Sequence, residues 1–376
     1  MNHSEHIKME DIMSVERPYN QRPIFKISWK MLNNCPYRCS YCYMANAVEK
    51  ARVEKEMPTQ QFVENIASHF SVMLDKLADE KDEVQLHLIG GEPSLYDLQS
   101  VLERFDDRRF KYLNIASNLF RPFDYWDSLF DYCVGKGITV GVSASFHLEA
   151  LNTKEKREEY AEKVLRLKQV QCKAVVNNDN LQEYYPYFKR FMDAEKSIEI
   201  TLERDNKNKC CELSAENQRI VDEIRNYQYE RKEAHLSYLP YYTVTLKNGR
   251  KIGYSSNIAL INSIEGGIFD PSGFYCTAGQ HNIRVESNGN LKRSACRLCS
   301  MYFKMGNILK GDYEKVTDEI ICKCKEKGKD GILQEKYCTA FNNTSMYRLG
   351  YNRINGIYNE NHGIEIPNYW EETYGQ

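Results

Sequence analysis

The chain has 376 residues, enough for one large domain and a smaller one, and its 42% hydrophobic and 28% charged residues are the balance of a globular protein. A net charge of −2 gives no field to draw the whole molecule onto nucleic acid or an anionic membrane, and no window approaches the ~18 apolar residues of a membrane span. Thirteen cysteines behind an N-terminus without signal-peptide character argue for metal and reduced thiols in the cytoplasm, not for disulfides.

Residues 1–22 read as a polar arm. From Pro23 strands and helices alternate to about residue 205. The strands fall at Phe25–Leu32, Val84–Gly91, Lys111–Ser117, Ile138–Ser145, Val170–Val176 and Ile198–Leu202. The helices between them fall at Pro58–Ala78, Tyr96–Asp106, Phe123–Val134, Lys154–Gln169 and Leu181–Ala194. Repeats of this kind imply parallel strands with right-handed crossovers, closed like a barrel or open and doubly wound. A further helix over Ser214–Gln228 has Ser214 as its N-cap candidate. Two hairpins follow, turning at Asn248-Gly249 and at Asn288-Gly289.

The chemistry concentrates in Cys35-Pro-Tyr-Arg-Cys39-Ser-Tyr-Cys42, directly after the first strand. A tetrahedral zinc site would want a fourth ligand, and Asn33, Asn34 and Ser40 are poor ones. Three thiolates in one tight loop suit a 4Fe–4S cluster with one iron left open. Gly90-Gly91-Glu92-Pro93 closes the second strand: the glycines permit close backbone approach to a ligand and Glu92 supplies an acceptor. Ser117-Asn118 and Ser143, Ser145 and His147 belong to the ends of strands three and four, and Asn177 and Glu203 to the ends of five and six. His147 reads as a substrate-binding or proton-relay candidate, with Asn177 and Glu203 as weaker catalytic candidates; a lone strand-end histidine is more often a hydrogen-bonded structural group. Cys133 and Cys172 lie in apolar patterns and read as core thiols.

The C-x3-C-x2-C loop resembles the signature of the radical S-adenosylmethionine (radical SAM) family, and Gly90-Gly91-Glu92-Pro93 matches that family's second motif. The resemblance implies a (β/α)6 partial TIM barrel with the site at the C-terminal strand ends, an α/β fold carrying a small C-terminal α+β domain. It implies that Cys35, Cys39 and Cys42 hold the cluster whose open iron binds SAM. Tyr41 would border the adenine. Gly90, Gly91, Glu92 and Pro93 would receive the methionyl ammonium, and Ser117, Asn118, Ser143 and Ser145 would bond the ribose and carboxylate.

A second cysteine group, Cys276, Cys296, Cys299, Cys322, Cys324 and Cys338, follows in the C-terminal part. Cys276 and Cys296 flank the second hairpin, whose antiparallel pairing would bring its ends together. This stretch resembles the SPASM/twitch class of auxiliary 4Fe–4S domains, though it lacks the full seven-cysteine pattern. The resemblance implies one auxiliary cluster on Cys276, Cys296, Cys322 and Cys324, with Cys299 or Cys338 as substitutes; zinc would accept the same four thiolates. The division expected is an arm over 1–22, the barrel over 23–230, a linker with a hairpin over 231–269, the auxiliary domain over 270–345 and a tail over 346–376.

The function implied is reductive cleavage of SAM to a 5′-deoxyadenosyl radical that abstracts hydrogen from the substrate. The substrate would be a peptide or protein, slightly ahead of a small molecule undergoing dehydrogenation or cofactor assembly. The electron donor would be a flavodoxin or ferredoxin. A redox-sensing iron–sulfur protein is the alternative from another class. A zinc-stabilised nucleic-acid module using Lys292-Arg293 and Arg297 is disfavoured by the small net charge, and neither nucleic acid nor membrane is expected as a partner.

Overall fold

The computed structural model describes residues 7–16, 24–42, 44–203, 211–235, 242–254, 264, 274–276, 279–293, 304–317, 320–321, 346–347 and 364–365. In chain order the elements are β1 (Ile12–Glu16), β2 (Ile24–Leu32), α1 (Ala45–Val53), α2 (Gln60–Ser68), α3 (Phe70–Leu77), β3 (Glu83–Gly90), α4 (Leu98–Glu103) and β4 (Phe110–Ser117). Then come α5 (Phe123–Gly135), β5 (Thr139–Phe146), α6 (Lys154–Arg166), β6 (Val170–Val176), α7 (Leu181–Asp193), β7 (Ser197–Leu202) and α8 (Ala215–His235). The C-terminal part contributes β8 (Tyr242–Leu246), β9 (Lys251–Tyr254), β10 (Tyr275–Cys276), β11 (Asn282–Val285), β12 (Asn290–Lys292) and β13 (Lys304–Asn307).

Strands β2 to β7 pair in sequence order and all in parallel, the sheet expected of a (β/α)6 partial barrel. Their period-2 patterns explain the arrangement. On β2, Phe25, Ile27, Trp29 and Met31 are buried in one core with Val63, Ile66 and Phe70 of the flanking helices. Lys26, Ser28 and Lys30 alternate onto the opposite, inner face. The same alternation on β5 buries Val142, Ala144 and Phe146 and turns Ser143, Ser145 and His147 inward.

Side-chain caps mark several helix starts: Thr59 accepts from the Phe62 amide, Asp97 from Ser100 and Thr153 from Lys156. Ser214 caps α8 as expected, its hydroxyl accepting from the Asn217 amide at 3.2 Å. The helix expected over Pro58–Ala78 is instead two. His69 Nδ1 donates to the Asn65 carbonyl at 2.7 Å, and the His69 amide turns to Ile66, so the ladder breaks there.

The arm expected over 1–22 contains a strand. β1 pairs antiparallel with β8, and Ile12, Ser14 and Val15 are buried. The hairpin β8–β9 turns at Gly249, φ +85°, and belongs with β1 and β10 to a second, seven-stranded sheet. The hairpin β11–β12 turns at Gly289, φ +80°, and joins the barrel sheet, with β11 parallel to β2. Its two arms pair at Arg284–Lys292 and Val285–Leu291. Cys276 lies on β10, in the other sheet, so hairpin pairing does not by itself bring Cys276 toward Cys296.

Candidate active site

The cysteine loop leaves β2 after Leu32 and is laid against the end of β3 backbone to backbone. Gly91 N–H donates to the Leu32 carbonyl at 3.0 Å and Glu92 N–H to that of Asn34 at 2.9 Å. Gly90 has φ +139°, and a Cβ there would stand 2.4 Å from the Leu32 oxygen; a Cβ on Gly91 would stand 1.9 Å from that of Asn34. The approach these glycines allow in this structure is thus that of the chain's own cysteine loop. Within the loop, Cys42 N–H donates to the Cys39 carbonyl, and Arg38 Nη1 to those of Cys35 and Tyr37.

Cys35, Cys39 and Cys42 are free thiols. Cys35 Sγ accepts from the Tyr37 amide at 3.4 Å and from Asn118 Nδ2 at 3.7 Å. Burial pushes the Cys35 thiol up to about 11 and the Cys39 thiol to about 12. Such thiols become thiolates at neutral pH when a bound metal supplies the compensating charge. Among the described residues no three His, Cys, Asp or Glu side chains are already gathered as an ion would need. The donor set nevertheless fits an iron–sulfur cluster: three free thiols on one loop, one already receiving two N–H donors.

The Glu92 carboxylate is engaged within the chain itself. The residue is 0% exposed, and its carboxylate accepts four donors. Oε1 takes the Ser94 amide (3.0 Å), the Ser94 hydroxyl (2.7 Å) and the Ser117 hydroxyl (2.8 Å); Oε2 takes the Asn118 amide (2.7 Å). Burial raises its affinity for a proton, while these bonds favour the carboxylate. Glu92 therefore ties the ends of β3 and β4 together, beneath Asn118 and its contact with Cys35. Pro93 opens the short 3-10 turn Pro93–Leu95, and Arg121 fastens that turn through the carbonyls of Ser94 and Leu95. Beyond Asn118, Leu119 has φ +53°, and its carbonyl accepts from the buried Lys163 Nζ at 3.1 Å.

From the β5 side, His147 comes to the cysteine loop. Its Nδ1 lies 3.0 Å from the Tyr41 hydroxyl, its ring stacks on Tyr41 (5.9 Å) and meets Tyr37 edge-on (6.1 Å). The Tyr41 hydroxyl also interacts with Tyr184 and with the Cys39 thiol, so here this aromatic packs into the loop's own support. Burial pushes the His147 imidazole down to about 4 and the Tyr41 phenol well above its ordinary value. Two residues on, Glu149 accepts from both the amide and the hydroxyl of Ser40. Ser143 and Ser145 lie on the inner face of β5, below His147.

Asn177 and Glu203 stand apart from this group, at the ends of β6 and β7, and bond each other: Asn177 Nδ2 donates to Glu203 Oε2 at 2.5 Å. Asn177 Oδ1 accepts from the Asp179 and Asn180 amides, the pattern of a turn. Cys133 and Cys172 are fully buried core thiols. Cys296, Cys299, Cys322, Cys324 and Cys338 lie outside the described residues, as does the side chain of Cys276. A surface cleft of about 570 Å³ between α7 and α8, lined by Lys189, Arg219, Asp222 and Glu223 among others, contains no motif residue.

Glu149, Lys163, Arg121 and Tyr184 were not singled out in the sequence. Only the place of Glu149, two residues past His147 on a strand-end loop, could have signalled it.

Residues 29–181 match the family model described as Radical SAM superfamily. No curated protein matches the chain. Among solved structures the chain is similar to native anSMEcpe with bound AdoMet and Kp18Cys peptide, at 17% identity and a TM-score of 0.46, over 78% of this chain and 81% of that one. It is also similar to native anSMEcpe with bound AdoMet, at 18% identity and a TM-score of 0.45, over 76% and 80%.

Proposed function

This chain belongs to the radical SAM superfamily and is a radical SAM enzyme, and from that premise we propose which residues carry its chemistry and on what. Cys35, Cys39 and Cys42 would hold a 4Fe–4S cluster with one iron left open for SAM. The bound cluster and SAM supply one-electron cleavage of SAM to methionine and a 5′-deoxyadenosyl radical, which takes a hydrogen atom from the substrate.

The protein's own part is positioning. Asn118 Nδ2 and the Tyr37 amide donate to Cys35 Sγ, where they would hold electron density on a cluster thiolate. Glu92 fixes Asn118, Lys163 fixes the loop after it, and Tyr41 with His147 fixes the far side of the cysteine loop. His147 is the catalytic candidate retained, because it reaches this loop; the mutual bond of Asn177 and Glu203 favours a structural role for that pair. The observation that carries the reading is the docking of the Cys35–Cys42 loop against Gly91 and Asn118 at the C-terminal strand ends.

An auxiliary cluster on Cys276, Cys296, Cys322 and Cys324 is part of the proposal. Its support is that β10, which ends in Cys276, pairs with Ile320–Ile321, the two residues that precede Cys322 in the chain. The substrate class proposed is a peptide or protein, on the resemblance of the cysteine pattern to SPASM/twitch enzymes. The electron donor proposed is a flavodoxin or ferredoxin. The compartment proposed is the reducing cytoplasm, which suits free thiols. Among the described residues no helix is long and apolar enough to cross a membrane.

The test is anaerobic. Reconstituted protein should bind about eight irons, two cubane clusters, and with dithionite and SAM should form 5′-deoxyadenosine. Substituting Cys35, Cys39 and Cys42 by alanine should abolish that product; its persistence would overturn the assignment. About four irons with bound zinc would make the C-terminal site structural.

A further inference from the structure

The inner face of the barrel sheet is unevenly charged at its β2–β11–β12 edge. Phe25, Ile27, Trp29 and Met31 of β2 enter the core, which leaves Lys30 on the inner face. Ile283, Val285 and Leu291 do the same for β11 and β12, so Arg284, Glu286 and Lys292 share that face. Arg284 Nε lies 2.8 Å from Glu286 Oε1, Lys292 Nζ 3.0 Å from the same oxygen, and Lys30 Nζ 3.8 Å from Oε2.

Three cations thus share one carboxylate, and the side chains are sheltered: 16% exposed for Lys30, 20% for Arg284, 31% for Lys292 and 15% for Glu286. An uncompensated charge in such surroundings costs free energy. Burial, with the charges of Arg284 and Lys292, pulls the Lys30 ammonium below its ordinary range even though Glu286 opposes this.

Arg284 and Lys292 are direct partners across the hairpin, where like charges are destabilising. Arg284 Nε, close as it is to Glu286, is not aligned with it as a hydrogen bond. The guanidinium keeps donor capacity for an oxyanion, and a guanidinium fork matches carboxylate and phosphate geometry. The location is suited to substrate, because Lys30 is two residues before Leu32, where the cysteine loop begins.

We propose that Lys30, Arg284 and Lys292 form an anchor for an anionic group, a carboxylate or a phosphate, on the molecule this enzyme works on. The proposal rests on the reading that radical chemistry occurs at the rim of this same face.

The test titrates the full-length protein calorimetrically with succinate and, separately, with inorganic phosphate, at constant ionic strength set by potassium chloride. Saturable binding is expected, weakened about tenfold or more by Arg284→Gln and by Lys292→Gln, since each removes a charged hydrogen-bond donor. Glu286→Gln should tighten it, because it removes the competing carboxylate. A salt-bridge hub without ligand function predicts no such gain. Stronger binding of phosphate assigns a phosphorylated substrate, and stronger binding of succinate a carboxylate-bearing one. Absence of saturable binding by either anion, or binding that all three substitutions leave unchanged, overturns the anchor.

5′-Deoxyadenosine formation by the wild-type protein is measured in parallel. Its presence without anion binding overturns the anchor alone. Its absence with anion binding that responds to the three substitutions overturns the function proposed above and upholds an anion site.

Discussion

Ser40 and Glu149 are 109 residues apart in the chain and close the cysteine loop together: the Ser40 amide donates to Glu149 Oε2 at 2.6 Å and its hydroxyl to Oε1 at 2.5 Å. Ser40 stands between Cys39 and Tyr41, so one carboxylate from the loop after β5 holds the middle of a three-thiol motif that β2 alone anchors only at its start. Two bonds to one charged group hold orientation as well as position. Glu149→Ala should therefore release the loop. The expected result is faster hydrogen exchange at the Ser40 and Tyr41 amides of the metal-free protein, and faster loss of iron to a chelator after reconstitution. Unchanged exchange at Ser40 would show that the clamp does not hold the loop in solution.

The buried carboxylate of Glu92 yields a second expectation. Glu92→Ala would strand four donors, of Ser94, Ser117 and Asn118, in a site with no solvent. Leaving a buried donor unsatisfied costs ~1–3 kcal/mol, so the total loss should be about 3 kcal/mol or more in chemical unfolding. Glu92→Gln keeps the shape and one acceptor oxygen and should lose less, although its amide would face another N–H. SAM affinity is the second readout. A large loss of affinity in Glu92→Ala with stability intact would return Glu92 to the role of direct ligand.

The strands of the barrel were legible in the sequence because each alternates apolar and polar residues against a single core; Val170–Val176 matches to the residue. The three-thiol loop and Gly90-Gly91-Glu92-Pro93 were legible because spacing and strand-end placement are local properties. What stayed hidden depends on distant partners. β1 was missed inside an arm read as polar: Ile12-Met13-Ser14-Val15-Glu16 is short, and its pairing partner β8 lies some 230 residues on, where it buries Ser14 beside Ile12 and Val15. α1 buries only Val48 and Ala51 and has no side-chain cap, so neither periodicity nor capping announces it. The acceptors of Glu92 looked available in the sequence because nothing local shows that Ser117 and Asn118 would arrive on them.

Gly91 supplies a sharper test of how the two motifs meet. Its added Cβ would sit 1.9 Å from the Asn34 oxygen and 2.4 Å from the Asn34 carbonyl carbon, both backbone atoms that cannot rotate away. Gly91→Ala should push the cysteine loop off the end of β3 while the barrel, which is held elsewhere, stays folded. The expected outcome is near-wild-type far-ultraviolet circular dichroism with iron retention after reconstitution reduced severalfold. Gly137→Ala is the comparison, since that glycine has φ +69° but nothing within 4 Å, and should cost only about 1 kcal/mol of backbone strain with iron retention unchanged. Equal iron in the two variants would mean that the contact at Gly91 is not what seats the loop.

His87 makes stability depend on pH in a defined direction. It lies on β3 in register with Ser28 and Asn114. Burial first, then the charges of Lys173 and Lys26, pushes its imidazole from 6.5 down to about 4. In the unfolded chain the imidazole takes its proton near 6.5, and in the folded chain only near 4. Stability from keeping His87 neutral is therefore complete above about pH 6.5 and is lost as pH falls toward about 4, by on the order of 2–3 kcal/mol. His147, lowered by its own burial, adds a loss in the same window. His87→Gln should flatten the dependence and leave the part due to His147. Urea unfolding of both proteins at intervals from pH 7.5 to 4.5 measures this directly. A slope as steep in His87→Gln as in the wild type would place the acid sensitivity on other groups and refute the inward, desolvated position assigned to His87.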